Sequence, residues 1–115
     1  MIHDKQRIAR MAEELISDLL RYECKDMNLR ILEKESLYTI SISGYCKGIN
    51  SREVDRIRKL LNQPRNSQME EYYWSLSGDS DLDTEFSLLG IMSNEVELNY
   101  DEKSRYLSIK LTRGK

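Results

Sequence analysis

The sequence predicts an α+β domain: a two-layer sandwich with three helices on one face of a mixed, mostly antiparallel four-stranded sheet. Three observations carry this reading. An apolar stripe at helical spacing runs through residues 8–20, two pairs of segments alternate apolar and polar side chains, and each pair is joined by a short polar turn. One-sided alternation calls for a sheet with one packed face and one wet face, which helices then cover from a single side.

Ile8, Met11, Ala12, Leu15, Ile16, Leu19 and Leu20 fall at steps of three and four, predicting a helix over about 4–23 with Asp4 as its cap. "NLRILEK" and "LYTISIS" follow as strands, with Lys34-Glu35-Ser36 as a hairpin turn and Tyr38, Ile40 and Ile42 on the packed face. Asn50 with Glu53 predicts the start of a second helix and Pro64 its end, burying Val54, Ile57, Leu60 and Leu61. Residues 63–83 read as a long polar connection with partial structure, containing "EYYWSL". "DTEFSLLGIMSNE" reads as a short helix capped by Asp83 or Thr84 and burying Phe86, Leu89 and Met92. "EVELNY" and "RYLSIKLT" close the chain as a hairpin around "DEKS".

At 115 residues the chain is one domain, 1–115. No apolar run could span a membrane, and no signal-like stretch opens the chain, so the expected location is the cytoplasm. Cys24 and Cys46 match no metal or redox spacing and read as two free, buried thiols. His3 is the only histidine and lies near the terminus, which removes most Ser-His, Cys-His and His-metal constellations. No catalytic residues are therefore assigned. Residues 66–102 carry ten acidic side chains and no Lys or Arg, which disfavours nucleic acid as a partner.

Three short stretches bear on a nucleotide. The first helix contains Glu14-Leu15-Ile16-Ser17-Asp18-Leu19. The second strand runs out through Gly44, Cys46 and Gly48, and the last helix contains Leu88-Leu89-Gly90-Ile91. In this order they resemble the motifs of the ATP-binding domain shared by histidine kinases, gyrase-type ATPases and anti-sigma serine kinases, the GHKL fold. That resemblance implies that Glu14 and Asp18 stand at the magnesium-binding position. Gly44 stands where an aspartate would read adenine, Gly48 keeps the turn that follows because glycine tolerates positive φ, and Gly90 keeps one glycine of a phosphate-binding loop. The adenine contact is missing and Leu88 obstructs phosphate, so the resemblance implies a degenerate nucleotide site with no cofactor. Residual Mg-ATP at Glu14, Asp18, Gly48 and Gly90, with Asp18 as the metal ligand, is the alternative.

The function expected from this is a bacterial signalling or regulatory protein that binds another protein, or a second copy of itself, and does not hydrolyse ATP. Its alternatives are a weakly active ATP-dependent serine kinase of the anti-sigma type and a small acidic chaperone or adaptor. The candidate partner surface combines the row Arg52, Arg56 and Lys59 on the second helix with the aromatic triplet Tyr72, Tyr73 and Trp74. A row of this kind is also what a solvated helix face looks like. Asp79, Asp81, Asp83 and Glu85 open like a calcium loop, but Thr84 and Gly90 occupy its glycine and closing-glutamate positions, so they read as capping and solvated loop.

Overall fold

The computed structural model describes the backbone of residues 2–75 and 82–115, and side chains outside 1–3 and 73–83. Four helices and four strands follow one another as α1 (Ile2–Arg21), β1 (Cys24–Glu33), β2 (Leu37–Cys46), α2 (Ser51–Leu61), α3 (Ser67–Ser75), α4 (Leu82–Ile91), β3 (Glu95–Asp101) and β4 (Tyr106–Gly114). The sheet order is β1-β2-β4-β3. Every pairing is antiparallel, so the expected parallel component is absent from the described sheet. The extra helix is α3, inside what the sequence suggested was a loop.

The expected elements form where the apolar pattern is cleanest. In β2, Tyr38, Ile40 and Ile42 are buried while the residues between them are half-exposed. Register then sets Ile40 against Leu111 and Ile42 against Ile109, which builds the floor of the core. Ile8, Met11, Ala12, Leu15 and Leu19 cover it from α1, and Val54, Ile57 and Leu61 do so from α2. The Asn50 side chain accepts the Glu53 backbone N–H at 2.9 Å, the capping bond its spacing predicted. Asp4 lies inside the first turn of α1 rather than before it.

Two expectations are corrected here. Cys24 and Cys46 are joined as a disulfide, not free thiols. The β1–β2 register places them directly opposite, a proximity that a separation of 22 along the chain does not reveal. Leu20, placed in the buried stripe, is 55% exposed. The apolar stripe of α1 is wider than the surface that β1 and β2 offer it.

The β1–β2 ladder shifts register between Lys25 and Asn28, where Asp26 takes the left-handed backbone at φ 51°. Gly44 lies buried opposite this bulge, and a Cβ there would come within 3.1 Å of the Lys25 carbonyl oxygen. No helix among the described residues is long and apolar enough to cross a membrane.

Candidate functional site

Residues four apart on a helix share a face, so α1 presents Glu14 and Asp18 together. Helix α4 is anchored in the core by Phe86 and Leu89, both essentially fully buried, and it packs against α1 and α2. That anchoring delivers Glu85 to the two α1 carboxylates. One oxygen from each of Glu14, Asp18 and Glu85 lies within 4.8 Å of the others.

Asp18 is fully buried, and among the described residues its carboxylate oxygens have no hydrogen-bond donor, only the neighbouring Glu85 carboxyl. A buried ionised carboxylate without a partner is costly. Burial, and then the neighbouring Glu85 and Glu14, push its pKa up to about 8, against the opposing pull of Arg21. Glu14 is raised in the same direction by burial and by the charge of Glu85. Among the described residues, the Arg21 guanidinium, half-exposed, lies 3.4 Å from Glu85, and the charge of Arg10 acts on Glu14. Near neutral pH the cluster therefore holds a proton. A divalent cation is the other way to neutralise it. Such ions sit about 2.0–2.6 Å from oxygen ligands, so three oxygens this close can reach one ion, and the two orphaned Asp18 oxygens fit that role. Glu85 is the member that sequence reading grouped with Asp79, Asp81 and Asp83 as capping and solvated loop; nothing in its spacing from residues 14 and 18 signals the convergence.

The glycines of the suspected nucleotide motifs do other things. The Gly48 N–H donates to the Tyr22 carbonyl at 2.8 Å, and a Cβ there would come within 2.9 Å of the same oxygen. Close approach, not a left-handed backbone, is what requires glycine at 48. Gly90 sits in the last turn of α4, where a Cβ would meet the Leu61 carbonyl oxygen at 2.4 Å. It lets α4 pack on the end of α2.

The basic row, with Asp55 and Leu60, lines an open concavity of about 720 Å³ on the exposed face of α2, as far as the described residues go. Arg56 is tied to Glu53, which also accepts the Tyr22 hydroxyl at 2.9 Å. Among the described residues, Arg52 and Lys59 have no ion-pair partner. Tyr72 is 60% exposed on α3. The side chains of Tyr73, Trp74 and Asp83, and all of Asp79 and Asp81, lie outside the described residues.

Sequence reading missed a second charged cluster altogether. Arg113 on β4 and Glu70 on α3 are both about 2% exposed and meet through two hydrogen bonds, at 2.7 and 2.9 Å. Arg7 on α1 also pairs with Glu70 and reaches the exposed Glu71, while Arg113 donates to the Met92 carbonyl at 2.8 Å and approaches Asp4 at 3.4 Å. Burial alone would raise the Glu70 carboxyl, yet the two guanidiniums hold it below the usual carboxylate range. This cluster fastens α3 to both chain ends.

Compared with known protein families, with curated proteins and with solved structures, the chain matches none.

Proposed function

We propose that the chain is a bacterial regulatory protein on a degenerate histidine-kinase-like ATPase scaffold, acting in the cytoplasm by gripping an acidic protein segment and not by hydrolysing ATP. The observation that carries this reading is the groove on α2, where three cations line one concavity and Arg52 and Lys59 are unpaired among the described residues. Cations at a groove steer and orient an acidic partner, and exposed Tyr72 on the following helix supplies aromatic surface of the kind interfaces favour. A reducing cytoplasm would open the Cys24–Cys46 disulfide, a bond between two core residues.

Two features argue against nucleotide chemistry. Gly44 offers adenine no side chain and has the β1 bulge against it. Glu14, Asp18 and Glu85 form an anionic cluster, which repels a triphosphate unless a cation intervenes.

Calorimetry tests this. Poly-glutamate should bind with an affinity that falls with salt and is lost in Arg52→Glu/Lys59→Glu. Mg-ATP should bind no tighter than roughly 1 mM, about −4 kcal/mol. Low-micromolar Mg-ATP binding, or poly-glutamate binding indifferent to the double charge reversal, overturns the reading.

The Mg-ATP alternative draws on the carboxylate trio, whose orphaned oxygens suit a divalent ion. It predicts nucleotide-dependent Mn²⁺ binding that disappears in Asp18→Asn.

A further inference from the structure

We propose that the chain pairs with a second copy of itself through the open edge of β1, antiparallel and centred on Leu29, joining two sheets into one of eight strands. β1 is an edge strand, with β2 on one side and no described strand on the other. Such an edge presents unpaired main-chain donors and acceptors that another strand completes.

One face of this edge is apolar, although Lys25, Asp26, Arg30 and Glu33 lie along the same strand. Leu29 pairs with Ile42 and Ile31 with Ile40, so both lie on the core-facing side of the sheet. Their β2 partners are 1% exposed, while Leu29 and Ile31 are 40% and 47% exposed. Leu20, on the helix that packs against β1 and β2, is also exposed. Leu29 and Ile31 form an apolar border that the described residues leave uncovered.

A reversed copy of β1 fits this border. Opposed residues of antiparallel strands share a face, so a two-fold axis at Leu29 sets Leu29 against Leu29 and brings Ile31 to the Met27 end of the other copy, where the bulge between Lys25 and Asn28 ends regular pairing. On the other side, Arg30 meets Asn28. The strand carries both signs, Lys25 near one end and Glu33 at the other, and reversal brings unlike ends together. Moving the axis to Arg30 sets two guanidiniums directly opposite, which disfavours that register.

The far edge of the sheet is built differently. β3 exposes Glu95, Glu97 and Asp101 along one side, charges that oppose pairing with another β3. The same acidic row complements Arg30 and would let β1 of one copy join β3 of the next. That contact does not close and grows into a chain of copies, so it is the outcome that must be told apart.

Sedimentation equilibrium of the full chain, read over a range of concentration, makes the distinction. The expected species has twice the 13.6 kDa mass of the chain and reverts to a single copy in Leu29→Lys and in Ile31→Lys, each checked for retained fold by circular dichroism. Hydrogen exchange supplies a second reading. β1 amides that exchange fast in dilute protein should become protected as concentration rises, and Ile31→Lys should abolish that gain. A single copy at all concentrations, a mass growing beyond two copies, or a dimer whose β1 amides gain no protection overturns the proposal. Poly-glutamate binding at the α2 groove is read separately, so failure of either idea leaves the other standing.

Discussion

Helix α1 carries two charged clusters eleven residues apart, about 16 Å along its axis, and they are opposites. At its start, Arg7 and Asp4 enter a buried network with Glu70 and Arg113 in which each charge meets one of the other sign. Further along, Glu14 and Asp18 meet Glu85, three groups of one sign, with half-exposed Arg21 on Glu85 and the charge of Arg10 acting on Glu14. The first cluster answers its own burial. The second needs something from outside, a proton or an ion. Buried charge is thus no single signal: balanced, it holds elements together, and unbalanced, it marks where a molecule is poised to take something up.

The largest test of this contrast breaks the balanced cluster. Arg113→Ala leaves Glu70 buried with one partner fewer and should cost about 3–5 kcal/mol in urea unfolding. Glu70→Leu should cost a similar amount, because it leaves two arginines facing one another. The double variant Arg113→Met/Glu70→Leu should cost less than the sum of its singles by about 1–3 kcal/mol. Additive losses would mean that the network is not one unit.

The unbalanced cluster should respond with the opposite sign. An unfolded aspartate titrates near 3.8, and Asp18 in the fold near 8, so the folded state holds the extra proton between those values. Its contribution to stability is complete below about pH 4 and is lost as pH rises through 8. Glu14, shifted the same way, adds to this slope. Asp18→Asn, neutral at every pH, should therefore match the parent near pH 4 and exceed it at pH 8.5 by several kcal/mol, about 5 if the whole shift is expressed. A parent whose melting temperature is flat from pH 5 to 8.5 would show that Asp18 is ionised and satisfied in the fold.

How much of this was legible follows from what each feature depends on. Helix α1, the β2 alternation and the C-terminal hairpin could be read because burial repeats at the period of the element, as in Tyr38, Ile40 and Ile42. Helix α3 could not, because among its described side chains polar Ser67, Gln68 and Glu71 surround the one buried position, Glu70, and a buried glutamate leaves no apolar stripe. The disulfide and both charged clusters depend on residues 22 to 109 positions apart meeting through register and packing. Glu14 and Asp18 were visible as a pair since one helix supplies both; Glu85 arrives only because Gly90 lets α4 settle against Leu61.

The smallest expected effect sharpens the comparison from inside the balanced cluster. Arg7 is held by two neighbouring glutamates of α3, Glu70 with its side chain 2% exposed and Glu71 with its side chain 68% exposed. The chemistry is the same and only the surroundings differ. Water already solvates the Glu71 carboxylate in the unfolded and folded states, so its pairing with Arg7 gains little and is screened by salt. Glu71→Ala should lower stability by no more than about 0.5 kcal/mol, and that small loss should vanish in roughly 0.5 M salt, where exposed charges are screened within a few ångströms. The Arg113→Ala loss should persist at the same ionic strength, because salt does not enter a site that is 2% exposed. A Glu71→Ala loss as large and as salt-resistant as that of Arg113→Ala would place the boundary between buried and solvated charge in the wrong turn of α3.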